Sequence, residues 1–150
     1  MSRRFYPDYY PPFSHEPTKD KFKIITTSKK GEGIISRCSF EPGDLVFRFM
    51  GVFLEEVSLY TLQIDENCHI HDPFVMGKVL HSCDPNMICD IKTKTFYAVK
   101  PVRKGDFLTM DYETTEDSLY RSFVCECGSE NCRGLIAGRK YRREQIKKIM

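Results

Sequence analysis

The residues best suited to carry chemistry are cysteines near the end of the chain. Cys125, Cys127 and Cys132 follow one another in a C-x-C-x4-C pattern. Three thiolates supply three of the four ligands of a tetrahedral zinc site, so the fourth ligand must come from elsewhere in the chain. The spacing therefore predicts a zinc site that ties this segment to a distant loop.

Four other cysteines are candidates for the fourth ligand. Cys83 lies in the polar, turn-forming segment His-Ser-Cys-Asp-Pro-Asn, where a thiolate can point outward. The other three lie in or beside apolar runs, where a thiol behaves as a small hydrophobic group: Cys38, Cys68 and Cys89. We therefore predict that Cys83 completes the site. Four thiolates leave no open position for water, which makes the zinc structural.

Two glycines accompany the cysteines. Gly128 and Gly134 fit a tight metal loop whose backbone needs positive φ.

The bulk properties of the chain indicate one ordinary globular domain. It has 150 residues and a net charge of +2, which requires neither nucleic acid nor an acidic membrane as a partner. No run of 18 apolar residues and no secretory signal is visible. Seven cysteines without such a signal favour metal binding or free thiols over disulfides, and predict an intracellular protein, cytoplasmic or nuclear.

The elements that must position these residues read as mainly β. Short strand-like runs at 22–27, 34–35, 45–49, 87–91, 95–99 and 107–109 are separated by turn signals. Helical signals are few: we expect short helices within 74–80 and 116–123, and a basic helix at 140–150. Residues 1–19 are rich in Pro and Tyr, which predicts an extended arm whose aromatic side chains pack against the rest of the protein.

Three further segments carry residues with chemical potential. A glycine pair, Gly31 and Gly33, follows the first strand, although alone it would most often be a simple hairpin turn. His81 shares its loop with Cys83. The segment that begins at Gly105 leads through a predicted strand to Asp111-Tyr112. A tyrosine at the end of a strand is commonly a half-buried packing residue.

Taken in order, these pieces resemble the SET-domain family of protein-lysine methyltransferases with a cysteine-rich post-SET segment. The resemblance covers residues 22–134, and also includes the run from Gly43 to Gly51. It implies a SET fold of several small curved sheets with few short helices and a zinc-bound C-terminal loop. We expect four parts: a Pro/Tyr-rich arm (1–19), the catalytic domain (20–116), the post-SET zinc segment (117–138) and a basic C-terminal helix (139–150).

The resemblance also implies the chemistry. Such domains bind S-adenosylmethionine on one side and admit a lysine of a protein or peptide through a narrow channel on the other. Tyr112 matches the catalytic tyrosine of the family. The resemblance places the cofactor against a set of residues that includes the same tyrosine: Glu32, Gly33, Leu80, His81, Tyr112 and Leu135.

Two positions depart from the family pattern. Leu80 stands where relatives carry the asparagine before His-Ser-Cys, and losing that polar partner should cost cofactor binding about 0.5–1.5 kcal/mol. Met110 stands where relatives carry Phe or Tyr. A flexible, apolar side chain there predicts a roomier channel that favours higher methylation states.

Three other functions remain open from the sequence. Leu80 and Met110 fit a SET-like module that has lost methyl transfer and acts as a binding or scaffold protein. The short stretch of about thirty residues between Gly51 and His81 fits an enzyme with a non-protein substrate or another reaction. The basic run 139–143 fits a zinc nucleic-acid binder, although such runs are more often a solvated helix face. We expect no membrane association and no direct nucleic-acid ligand, and the sequence gives no oligomeric state.

Overall fold

The structure is a computed structural model that describes residues 3–149. Within that range twelve short strands form five small sheets, and one α-helix, α1 (Arg139–Ile149), follows them. The strands are β1 (Phe22–Thr26), β2 (Glu32–Ser36), β3 (Leu45–Arg48), β4 (Val52–Leu54), β5 (Thr61–Asp65), β6 (Cys68–His71), β7 (Leu80–His81), β8 (Met87–Asp90), β9 (Thr95–Ala98), β10 (Thr109–Met110), β11 (Phe123–Val124) and β12 (Leu135–Ile136). Two short 3₁₀ helices lie at Met76–Lys78 and Tyr112–Thr114.

The sheets are small, and four of the five are antiparallel. β1 and β2 form a hairpin, β3-β9-β8 and β4-β6-β5 form three-stranded sheets, and β11 pairs with β12. The fifth sheet is a parallel pair of β7 and β10, two residues long. The expected mainly β fold with few helices is confirmed.

The prediction of a helix within 116–123 is wrong, because that segment is irregular and its last residue begins β11. The helix expected within 74–80 shrinks to one 3₁₀ turn, Met76–Lys78. The basic C-terminal helix is present as α1, and Met150 lies outside the described residues. None of the helices in the described range is long and apolar enough to cross a membrane.

The sequence did not predict the two-residue strands β7, β11 and β12, nor the longer strands β4 to β6. The composition of the longer strands hides the alternation of apolar and polar residues, because Gln63 and His69 are polar and yet buried. All three residues of β4, by contrast, are apolar and exposed. These strands pair through their backbones, which a pattern of side chains does not reveal.

Aromatic side chains fill the main core. Phe22, Phe47 and Phe96 are almost fully buried, and neighbouring rings of this group lie 5.1–5.5 Å apart in edge or tilted arrangements. Such arrangements suit the charge distribution of aromatic rings and add about 0.5–1.5 kcal/mol per pair beyond area burial. The same core cluster also includes side chains from β5, β6 and β10: Leu62, Ile70 and Met110.

The N-terminal arm is anchored in this core through Tyr6, which is 2% exposed. The Tyr6 hydroxyl donates to Asp72 Oδ2 at 2.7 Å and accepts from the Met50 backbone N–H at 3.1 Å. Asp72 in turn accepts three backbone N–H groups, from Phe74, Val75 and Met76. The arm therefore holds the turn that leads into the 3₁₀ helix and β7.

Burial raises the pKa of the Asp72 carboxyl, and the hydrogen bond from Tyr6 acts in the opposite direction. Replacing Tyr6 by Phe would leave the Met50 N–H without its acceptor and would remove one donor to Asp72. We expect the Tyr6→Phe variant to lose about 1–3 kcal/mol of unfolding free energy, measured by urea titration.

Tyr9→Phe is the matched control, because Tyr9 is 77% exposed and its substitution should change stability by less than about 0.5 kcal/mol. Equal stability of the Tyr6→Phe variant and the unaltered protein would contradict the proposed anchoring.

Candidate active site and metal centre

The candidate site is organised by the parallel pair of β7 and β10. Thr109 pairs with Leu80, and Met110 pairs with His81. The pairing continues beyond β7, because Ser82 N–H donates to the Met110 carbonyl at 2.9 Å. Successive side chains of a strand point to opposite faces, so Leu80 and Thr109 share one face of the pair and Met110 lies on the other.

A cavity opens on each face. Leu80 and Thr109 line an open groove of about 430 Å³. Met110 lines a second cavity of about 170 Å³, together with Val79 and Tyr112. The β7–β10 pair therefore lies between two candidate ligand sites, and Tyr112 lines the smaller one.

Tyr112 lies two residues after the end of β10, at the first residue of a 3₁₀ turn whose N-cap is Asp111. Its hydroxyl donates to the Val79 carbonyl at 2.5 Å. Burial, and after it the charge of Glu116, raise the pKa of Tyr112 above its ordinary value. The phenol is therefore neutral at physiological pH and acts as a fixed hydrogen-bond donor.

His81 connects Tyr112 to the cysteine cluster. Its Nδ1 accepts the Tyr112 backbone N–H at 3.0 Å, and its Nε2 lies 3.4 Å from Cys83 Sγ. Burial lowers the pKa of His81 to about 4, so the ring is neutral. Because Nδ1 is the acceptor, the proton lies on Nε2 and points at the Cys83 sulfur. His81 is thus a structural link between the tyrosine and the cluster.

The four cysteines expected to bind metal come together. The Sγ atoms of Cys83, Cys125, Cys127 and Cys132 all lie within 4.8 Å of one another, and those of Cys83 and Cys125 are 3.9 Å apart. Tetrahedral coordination with Zn–S bonds of about 2.3 Å places sulfur atoms about 3.8 Å apart. The cluster therefore fits a tetrahedral metal ion with only small adjustments.

The surroundings of the cluster also suit thiolate ligands. The Arg133 backbone N–H points at Cys83 Sγ at 3.4 Å. Gly128 and Gly134 have φ of 76° and 74°, the positive values expected for this loop. Outside the cluster, burial raises the pKa of Cys89 to about 12, which keeps it a thiol.

Two arginines, Arg133 beside the cluster and Arg142 in α1, form ion pairs with the residues on either side of Tyr112. Arg133 Nη2 lies 2.6 Å from Asp111 Oδ1, and Arg133 Nε lies 3.0 Å from Glu113 Oε1. Arg142 of α1 reaches the same Glu113 oxygen at 3.1 Å. The Glu113 side chain is only 6% exposed, so these ion pairs are poorly screened by solvent.

The remaining residues expected to bind cofactor occupy different places. Gly33 lies in β2, where an added Cβ would come within 2.8 Å of Leu80 Cδ1. Leu80 and His81 line the groove. Glu32 forms an ion pair with Lys78 at 3.3 Å, and Leu135 lies in β12 on the cluster segment. The structure does not bring Glu32 or Leu135 into the lining of either cavity.

Sequence reasoning missed three features of the site. It did not identify the Val79 carbonyl, since a backbone atom carries no side-chain signal. It did not identify Glu116, which lines the Met110 cavity. The ion pairs of Glu113 were also missed, although acidic residues beside Tyr112 and arginines in the tail were a readable charge pattern.

Comparison with known proteins gives a family match. Residues 31–113 match the family model described as "SET domain". Histone-lysine N-methyltransferase ASHH3 of Arabidopsis thaliana is 27% identical over 146 residues, which cover 81% of this chain and 39% of that protein. Methyltransferase flvH of Aspergillus flavus is 43% identical over 60 residues, which cover 39% of this chain and 34% of that protein.

A solved structure shares the fold. The crystal structure of KRYPTONITE in complex with mCHG DNA and SAH superposes with a TM-score of 0.62 at 25% identity. The superposition covers 76% of this chain and 28% of that one. The chain thus spans less than half the length of each of these three similar proteins.

The cysteine cluster makes a direct prediction about metal content. Cys83→Ser removes the ligand that comes from outside the tail, so we expect it to lose most of its bound metal in elemental analysis of the purified protein. Loss of the ion should also speed hydrogen exchange in residues 117–138 and leave β3-β9-β8 protected.

Cys68→Ser is the matched control, because Cys68 is a thiol outside the cluster. It should keep the metal content of the unaltered protein. Full metal content in the Cys83→Ser variant would refute the four-ligand site.

Proposed function

The chain belongs to the SET-domain family, and we propose that it transfers methyl groups from S-adenosylmethionine to the amine of a lysine side chain in a protein or peptide. The observation that carries this proposal is a pair of cavities lined from β7–β10, one by Leu80 and Thr109 and the other by Met110 together with Tyr112. A methyl donor on one side and an amine on the other can meet there in line.

Each face suits its proposed ligand. The groove is lined by Lys29 and Lys30, whose ammonium groups fit a carboxylate, and by Ser82 and Thr109, which offer hydroxyl groups. The cavity on the Met110 side is lined mainly by apolar and aromatic side chains, which suits the aliphatic stem of a lysine. Among the expected cofactor residues, Leu80 and His81 line the groove, and Gly33 lies against Leu80.

When bound, S-adenosylmethionine supplies a methyl group already activated by a sulfonium charge, so the main task of the protein is alignment. The Val79 carbonyl can accept a hydrogen bond from the amine, and the Tyr112 hydroxyl fixes that carbonyl. These two oxygens also suit weak C–H···O contacts with a positively charged methyl group. An apolar cavity lowers the pKa of the entering lysine and so favours its reactive, neutral form.

We propose that the metal is zinc and that its role is structural. Cys83, Cys125, Cys127 and Cys132 would hold it as four thiolates. The ion would then order the tail 117–138, which we take as the post-SET segment beside a catalytic domain at 20–116. Through His81, the same cluster fixes the backbone of Tyr112.

The names of relatives support a nuclear, histone-directed role as a proposal. ASHH3 is named a histone-lysine N-methyltransferase, and we propose a histone peptide as the first substrate to test. The name of flvH gives a methyltransferase and no substrate. A non-protein amine is therefore the second candidate, supported by the short connection between Gly51 and His81.

The proposal is tested by incubating the protein with radiolabelled S-adenosylmethionine on an array of histone and other lysine peptides. Tyr112→Phe should reduce transfer on the order of 10²-fold, because it frees the Val79 carbonyl. Cofactor affinity, measured by calorimetry, should stay within about threefold, because the groove is unchanged. Tyr120→Phe is the control, since Tyr120 is 52% exposed at the mouth of the same cavity.

No cofactor binding at millimolar concentration would refute methyl transfer and favour a binding module. Cofactor binding with transfer to a small amine and to no peptide would favour the second candidate. Unchanged turnover in Tyr112→Phe would remove that residue from its role.

Met110 makes a prediction about product. Its side chain is 4% exposed and lines the cavity, where a larger aromatic ring would reduce the free space. We expect mass spectrometry to find dimethyl or trimethyl lysine with the unaltered protein, and Met110→Tyr to shift the product toward monomethyl lysine. Only monomethyl product from the unaltered protein, even with excess cofactor, would contradict this expectation.

A further inference from the structure

The cavity on the Met110 side contains a buried acid that methyl transfer does not require. Glu116 is 5% exposed and lines this cavity together with Tyr112. It follows the 3₁₀ turn of Tyr112, and its backbone N–H donates to the Tyr112 carbonyl at 2.9 Å. A carboxylate is thus built into a wall that is otherwise largely apolar.

The two oxygens of Glu116 have different environments. Oε2 accepts the Gln63 backbone N–H at 2.8 Å and the Thr115 hydroxyl at 2.7 Å, so it anchors the segment to β5. Oε1 receives no hydrogen bond from the residues that the structure describes. It is also not among those residues' polar atoms that are both fully buried and without a partner, so it keeps some exposure. One oxygen is therefore structural, and the other stays partly accessible in a residue that lines the cavity.

Arg121 also lines this cavity and lies over the Tyr120 ring. Arg139, whose charge acts on Glu116, is engaged elsewhere. Arg139 Nε lies 2.7 Å from Asp117 Oδ1, and its Nη1 donates to the Thr114 carbonyl. Across residues 3–149, Glu116 takes part in no ion pair. Burial raises the pKa of Glu116, and its hydrogen bonds from Gln63 and Thr115 act against that change. A buried carboxylate in this state gains most from a cation that enters the cavity.

We propose that Glu116 Oε1 binds the ammonium group of the substrate amine as it enters the channel, and so selects cationic over neutral side chains. The inference rests on the proposed function, because it names the group that recognises the substrate of that same site. Glu116 is a binding residue here and not the base of the reaction. An ion pair raises the pKa of an amine, so the amine must leave Glu116 for the Val79 carbonyl before it is methylated.

Glu116→Gln is the informative variant, because it keeps one side-chain oxygen and replaces the other by an amide nitrogen. The amide oxygen can still accept from Gln63 and Thr115, so the anchor to β5 is kept. The amide nitrogen then faces the cavity and repels an ammonium group. Glu66→Gln is the control, since Glu66 is an exposed carboxylate that does not line the cavity.

The first measurement needs no turnover. Binding of n-butylammonium, which mimics a lysine side chain, is compared with binding of neutral n-butanol by NMR titration of the protein. Glu116→Gln should weaken n-butylammonium binding by about tenfold or more and leave n-butanol binding unchanged. Glu66→Gln should change neither affinity by more than about twofold. Equal n-butylammonium binding by Glu116→Gln and the unaltered protein would overturn the proposal, as would an equal loss for both probes.

The second measurement uses whichever lysine peptide is methylated. Glu116→Gln should raise KM by about tenfold and leave kcat within about threefold, because only ground-state recognition is removed. A fall in kcat at unchanged KM would overturn the binding role. If no peptide is methylated but Glu116 still governs n-butylammonium binding, the proposed function fails and this inference stands. If Glu116→Gln methylates peptides as well as the unaltered protein does, this inference fails and the proposed function stands.

Discussion

The pairing of β7 with β10 is the constraint on which the rest of the site depends. It is only two residues long, yet it fixes the register Thr109–Leu80 and Met110–His81. A shift by one residue would move Leu80 and Met110 to the opposite faces and exchange the linings of the groove and the cavity. The same pairing sets where the chain leaves β10, and therefore where the Tyr112 hydroxyl meets the Val79 carbonyl.

So short a pair cannot hold its register alone, and the surrounding contacts supply what it lacks. From one side, Tyr6 and Asp72 fix the turn that leads into β7. From the other side, His81 joins the Tyr112 backbone to Cys83. Ion pairs from Arg133 and from Arg142 of α1 to Glu113 add a third connection. A metal ion on the four thiols would therefore act on the tyrosine at a distance, by fixing its backbone.

Much of the site could be predicted from sequence, because cysteine spacing and the segment around His81 are specific local signals. The polarity of its neighbours predicts Cys83 rather than Cys89 as the fourth ligand, and the cluster in the structure agrees. The strands β4 to β6 were missed since buried polar residues such as Gln63 break the alternation that marks a strand. Glu116 was missed for another reason: its surroundings arise only when β5 meets the segment after Tyr112, and no pattern within either segment records that contact.

The central claim is that two ligands approach Tyr112 from opposite faces of one strand pair. A crystal structure with S-adenosylhomocysteine and a lysine peptide tests it most directly. The account predicts the cofactor product in the groove beside Leu80 and Thr109, and the lysine in the cavity beside Met110. The sulfur and the amine should then point at each other next to the Tyr112 hydroxyl. Both ligands on one face, or a sulfur remote from Tyr112, would contradict the account.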